Sequence, residues 1–278
     1  MPLEREILIS GTYALGPAAV LSSMLLSIAS NAVWSRNLGE TSCRWRRPYS
    51  PDGRAFIIWS FIYLTTLISC ICQLTGQTPV LGWYTNMSWG VSWALCALWP
   101  PFFDGETPEA LRAAASILLA AAAWATLAVS EEVAWSNNNE KIASILLTVP
   151  LSAFVGWLWV ASVLGWGIAN AASGADSDAE ACYVPPRRAD ETAYEYRYRR
   201  RVLYRQAQAR MPTVVSIVPL LVAFAIATLS ALIPDPLIVV PVAWAVVNLK
   251  AFPSNVYLLA LVVLGIGATV AGIRAELG

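Results

Sequence analysis

Uncharged, apolar runs recur along the whole chain, separated by short stretches where prolines, glycines and charges collect. The runs cover 7–34, 55–75, 80–103, 111–130, 142–172, 212–233, 236–250 and 253–273. A helix that crosses the hydrocarbon core of a bilayer needs about 20 such residues, so the pattern predicts eight spans. The seventh is the shortest, and it opens on Pro234-Asp235-Pro236. Three of the runs carry a finer pattern at helical spacing. Phe56, Trp59 and Tyr63 fall at i, i+3 and i+7 after the loop-breaking Pro51 and Gly53, and Asn86, Trp89 and Trp93 repeat the spacing. In the fifth run Pro150, Phe154, Trp157 and Ala161 share one face, with Trp159 and Trp166 on another.

Charge placement supports this count. With eight spans both chain ends lie on one side, together with Arg5, Lys141 and Arg274, whereas 15 of the 18 lysines and arginines fall in loops on the other. Five of those are Arg36, Arg44, Arg46, Arg47 and Arg54 in the first loop, and eight more lie between 187 and 210. The positive-inside rule then places both ends on the non-cytoplasmic side of the membrane. No charged residue needs to sit at mid-membrane, an arrangement unlike that of proton pumps and ion-coupled transporters.

Composition changes the picture in three ways. At 57% hydrophobic and 13% charged, the chain lies far from the roughly 25% charge of soluble domains. It has 18 basic and 18 acidic residues and no histidine. This balance gives no reason to expect a nucleic-acid partner, and without histidine the commonest metal ligand and general base are missing. Of the five cysteines, Cys70, Cys72 and Cys96 lie in apolar runs and read as small core residues, and no pair has ligand spacing. The first residues lack the basic region of a removed leader. Twelve of the 13 tryptophans precede residue 172, which divides the chain into a five-span unit at 1–172, an acidic-then-basic connection at 173–211 and a three-span extension at 212–278. Within the connection, four tyrosines and six arginines between 189 and 210 fit an interfacial helix on an anionic leaflet or an ordinary solvated loop. Trp34, Trp83, Trp99 and Trp135 stand near span ends and read as interfacial anchors. Trp59, Trp89, Trp93 and Trp157 lie deeper, where helix packing in lipid would favour small residues.

The stretch "PDGRAFIIWSFIY" resembles the start of the second helix in the tryptophan-rich sensory protein family, also called the translocator protein or peripheral benzodiazepine receptor family. Asn86-x-x-Trp89 is similar to the third-helix motif of that family. Pro150, Gly156-Trp157 and Ala161 are similar to the fifth-helix motif of its longer members, and Arg47-Pro48 to the Lys-Pro before the second helix. The resemblance covers about 7–172. It departs at Gly165, where the family usually has Asn, and in the aromatic spacing after Trp89.

The resemblance implies an all-α polytopic membrane protein, a five-helix bundle here followed by about three more helices. It implies a ligand site formed by Phe56, Trp59, Tyr63, Asn86, Trp89, Trp93, Phe154, Trp157 and Ala161, under a lid containing Arg47, Pro48, Pro51 and Gly53. The expected guests are tetrapyrroles such as porphyrins, or sterols and other lipids, bound by a sensor or carrier with no required cofactor and no catalytic residue. Porphyrin degradation is a weaker expectation, since no acid or base is visible at the site. The competing reading is a structural accessory subunit of a larger complex in a mitochondrial or plastid membrane, with a bacterial inner membrane as the other setting. Membrane lipids and either a second copy or a larger assembly are the expected partners.

Overall fold

The computed structural model describes residues 14–34, 53–78, 81–103, 109–136, 141–173, 190–196, 198–199, 202, 213–232, 235–248 and 254–277. Every regular element among them is a helix: α1 (Ala14–Trp34), a 3-10 turn (Gly53–Ile57), α2 (Ile58–Leu74), α3 (Trp83–Phe102), α4 (Glu109–Ser136) and α5 (Lys141–Ser173), then α6 (Thr213–Leu232), a second 3-10 turn (Pro236–Ile238), α7 (Val239–Val247) and α8 (Ser254–Leu277). Among the described residues three stretches, Ala14–Trp34, Ala55–Leu74 and Ile145–Trp166, are long and apolar enough to cross a membrane, and Ala113–Val129, Pro236–Val247 and Leu258–Arg274 are shorter apolar helices.

The first five helices close into a ring. α2 lies beside α5, α5 beside α4 and α4 beside α3. α1 completes the ring between α3 and α2. Its Ser30 hydroxyl donates to the Ala97 carbonyl at 2.7 Å, and its Asn31 amide donates to the Tyr63 hydroxyl at 3.2 Å. Local chemistry sets the element ends. α2 stops where the Thr75 hydroxyl takes the Ile71 carbonyl and Gly76 turns left-handed at φ 71°, a conformation that favours glycine. Pro150 removes one backbone hydrogen bond from α5 without ending the helix, a loss that neighbouring helices make tolerable in a membrane.

α5 has three occupied faces. Phe154 and Trp157 point into the ring, Trp159 meets Trp124 of α4 with centroids 5.4 Å apart, and Ser152 and Gly156 meet the extension. The Ser152 hydroxyl oxygen lies 2.5 Å from Asp235 Oδ2. Asp235 in turn caps the second 3-10 turn by accepting the Leu237 N–H at 2.9 Å. At Gly156 an added Cβ would run into the Ile238 carbonyl oxygen. The extension therefore touches α5 backbone to backbone, which only glycine allows.

α6 and α8 run parallel: Gly267 abuts Ala227, and Arg274 Nη1 approaches the Leu232 carbonyl at 3.5 Å. Parallel neighbours require the intervening segment to return across the membrane. The helical part of that return, Pro236–Val247, rises only about 18 Å. It starts next to Asp235, which is docked against α5 at Ser152. Asp235 is 3% exposed, an ionisable group buried inside the protein. Its hydrogen-bond partners meet the usual requirement for such a group. Cys70 and Cys96 are buried as expected, whereas Cys72 is only partly so.

In the connection, residues 193–196 are helical, and their start is a capping box. The Thr192 N–H and hydroxyl both donate to Glu195 Oε2, at 2.8 and 2.7 Å, and the Glu195 N–H donates back to Thr192 Oγ1 at 3.2 Å. Arg199 forks onto Glu191 at 2.8 and 2.7 Å, which holds the guanidinium pKa up.

Two outcomes are expected. Gly156→Ala forces the extension away from α5 and lowers stability by about 1–3 kcal/mol, read as a drop in the thermal midpoint of the full chain in detergent. Gly272→Ala, where an added methyl meets nothing within 4 Å, leaves the midpoint in place. The Thr192 hydroxyl and N–H hold the Glu195 pKa below its ordinary value. The capping box therefore contributes fully above that ordinary value, about 4.3, and its contribution is lost as pH falls through the lower folded value. Amide exchange at Thr192 should quicken over that acidic window, and Glu195→Gln should remove the pH dependence.

Candidate functional site

The 3-10 turn delivers α2 into the ring so that the stripe of Phe56, Trp59 and Tyr63 faces α3 and α5. Gly53 opens that turn, whereas Arg47, Pro48 and Pro51 of the expected lid lie outside the described residues. The Ala55 carbonyl, within the turn, accepts the indole N–H of Trp244 on α7 at 3.1 Å, so the extension also fixes the start of α2.

Six rings from three helices meet at this end of the bundle. Trp59 is the hub. It stacks on Tyr63 with centroids 5.5 Å apart and lies 6.3 Å from each of Trp93, Phe154 and Trp157. Tyr63 stacks on Trp93 at 5.3 Å, and Trp93 on Phe154 at 4.0 Å with 15° between planes. Phe56 meets the edge of Trp157 at 5.9 Å. Most of these separations lie in the favourable range for aromatic pairs. The cluster is also graded in exposure. Trp93, Phe154 and Trp157 are wholly buried, Trp59 and Tyr63 are partly covered, and Phe56 is 44% exposed at the rim.

This arrangement brings together Phe56, Trp59, Tyr63, Trp93, Phe154 and Trp157. It separates the other three expected site residues from them. Asn86 lies two turns down α3 from Trp93, about 10 Å along the axis, and donates to the Leu81 carbonyl at 2.9 Å. Gly16 of α1 packs against the Asn86 side chain, leaving no room there for a Cβ. Trp89 lies between these two levels, fully buried, and Ala161 is partly buried one turn beyond Trp157. Gly165, where an Asn was expected, admits Ser116 of α4, whose hydroxyl would lie 2.7 Å from an added Cβ. The departure therefore serves the packing of α4 on α5.

The tryptophans near helix ends divide. Trp83 is 46% exposed, as an interfacial anchor would be. Trp99 is instead 9% exposed and lies edge-on against Phe103 at 5.1 Å. Sequence reasoning missed Ala55, Trp244, Ser152 and Asp235. Only Asp235 carried a readable signal, since Asp before Pro marks a helix start.

The buried indole N–H groups of Trp93 and Trp157 have no hydrogen-bond partner in the structure. The cluster can thus offer flat apolar faces and N–H donors. Its members include no carboxylate, amine or imidazole, and no group of three metal-ligating side chains occurs among the described residues.

The sequence model of the TSPO-like protein family matches residues 15–178, which take in α2 to α5, all but the first residue of α1 and every ring of the cluster. Curated proteins and solved structures give no match. With more than half of its length inside that match and the ring stripes of α2, α3 and α5 converging as the family motifs imply, the chain belongs to the TSPO-like protein family.

Proposed function

We propose that this membrane protein binds flat, conjugated, largely apolar molecules at the ring cluster, with tetrapyrroles as the leading class and sterols or other lipids as the second. The observation that carries the reading is the pair of buried indole N–H groups without partners, Trp93 and Trp157, within a cluster whose rim rings remain exposed. A buried donor left unpaired costs about 1–3 kcal/mol, and an acceptor on a guest would relieve that cost. Ring faces suit a macrocycle. The sequence of the first loop adds Arg44, Arg46, Arg47 and Arg54, whose charges suit acidic substituents and whose side chains lie outside the described residues.

Binding in this reading requires ring movement. A planar guest between two rings needs about 7 Å, twice the usual carbon contact distance, whereas Trp93 and Phe154 are stacked at 4.0 Å. Phe56, exposed at the rim, and Trp59, half-covered, are the rings that would have to give way. The chain then acts as a sensor or carrier, with no catalytic step.

The closed stack favours a second reading, a structural subunit that uses the bundle as scaffold in an organellar membrane complex. The extension committed to α5 and α2 fits that role.

Titration of protoporphyrin IX into the full chain in detergent should quench tryptophan fluorescence saturably. Trp59→Phe, which keeps a ring at the hub, should weaken binding several-fold with a smaller drop in the thermal midpoint than Trp59→Ala. If quenching is absent, or the variant binds as the wild type does, the ring cluster is packing, and a native mass well above that of a dimer would then support the scaffold reading.

A further inference from the structure

The opposite end of the bundle axis carries a different set of buried groups. On α2, Thr66, Ser69 and Gln73 continue the inward face below Tyr63, and Asn86 and Trp89 do so on α3 below Trp93. The two helices are antiparallel, so these residues lie at matching depths. Gln73 Oε1 accepts the Leu81 N–H at 3.2 Å, and Asn86 Nδ2 donates to the Leu81 carbonyl at 2.9 Å. Both amides are therefore held at the level of one residue, and each has its other half unused. Gln73 Nε2 and Asn86 Oδ1 have no partner, nor do the hydroxyls of Thr66, Ser69 and Thr78 or the indole N–H of Trp89. All six side chains are at least nine-tenths buried, with exposures of 4% or less.

Ordinary helix chemistry does not account for them. A threonine hydroxyl in a helix can satisfy itself on the carbonyl one turn back, as Thr65 does on Phe61 and Thr75 on Ile71. Thr66 and Ser69, on the same helix, do not. Buried polar atoms without partners are uncommon, and water or a ligand is the usual explanation. Six within two helices and their connecting turn form a built site.

We propose that the α2–α3 turn end of the bundle is a second binding site, separate from the ring cluster, for a neutral hydrogen-bonding group: water, or the hydroxyl or carboxamide of a small solute. The unused groups mix donors and acceptors, with hydroxyls serving as both, carboxamide and indole N–H as donors and one carboxamide oxygen as acceptor. None of them carries a charge, so an ion would enter without a counter-charge. α1 backs the site, since Gly16 allows Asn86 to stand where it does.

The test uses the full chain in lipid nanodiscs, with the near-isosteric variants Thr66→Val/Ser69→Ala and Gln73→Leu, and Thr65→Val as a control whose hydroxyl is already satisfied within its helix. Two readouts are taken: the thermal midpoint, and direct detection of the guest by water-to-protein magnetisation transfer at the Gln73 side-chain amide and by native mass spectrometry. The site predicts that the inward variants lower the midpoint by a few degrees, more than the control does, and abolish either the water transfer or a small-molecule mass adduct. Loss of transfer identifies water, and loss of an adduct identifies a solute. A midpoint that is unchanged or raised, or a wild-type protein with neither signal, overturns the proposal, because unpartnered polar groups replaced by apolar ones should stabilise the chain.

Discussion

The close approach of two backbones at Gly156 is the contact on which the rest of the fold depends. In lipid, helices gain little from hydrophobic burial against one another, so they associate through tight packing and hydrogen bonds. Here Gly156 lets the Ile238 carbonyl reach the surface of α5, and the adjoining Ser152–Asp235 contact holds it there. As a result α5 is enclosed. Two thirds of the Ile145–Trp166 window is buried (67%), against 28% for each of the other two long spans. A helix surrounded on three sides cannot slide or rotate without breaking several contacts together. Its inward residues, Phe154 and Trp157, are wholly buried, whereas Phe56, Trp59 and Tyr63 on the α2 side remain partly exposed.

The extension also decides why α7 is short. Asp235 lies beside Ser152 and is buried in the protein, so the second 3-10 turn and α7 start from an interior position. Irregular backbone at that depth is tolerated only when protein covers it. Here the Ser230 hydroxyl takes the Asp235 carbonyl at 2.6 Å, and the Asp235 N–H returns to the Ser230 carbonyl at 3.2 Å. Trp244 then carries the docking to the other end of the bundle by gripping Ala55. The three added helices are thus bound to both walls of the ring cluster.

Much of this was legible in single-helix periodicity. The inward stripes of α2, α3 and α5 were visible as aromatic residues at i, i+3 and i+7, and six of the nine expected site residues do meet. The lateral order of the helices was not visible. Apolar residues lie on both the packed and the exposed flanks of the spans, so hydrophobicity alone does not say which flank faces lipid and which faces a neighbour. That is why Trp99, at the end of a span, reads as an interfacial anchor yet lies in the core. Gly156 read as part of a motif, but its service to a helix more than eighty residues away depends on tertiary contact alone. Asn86 shares the stripe of Trp93, and a stripe gives the face of a helix without saying how far along it a site extends.

That last distinction organises the interior. Along the inward face of α3 the side chains pass from Trp93 through Trp89 to Asn86, and along α2 from Tyr63 through Thr66 and Ser69 to Gln73. One end of the axis is therefore aromatic and lies towards the arginine-rich first loop, and the other is neutral and polar and lies towards the chain ends. Such a gradient is costly for a bundle that only needs to pack, since leucine and alanine would fill both ends without leaving donors unpaired. It is useful for a bundle that orients what enters it. Flat ring faces without hydrogen-bonding partners dominate one end, and unused carboxamide and hydroxyl groups dominate the other. The interior of this chain thus changes character along the axis, with the buried Trp89 at the crossover.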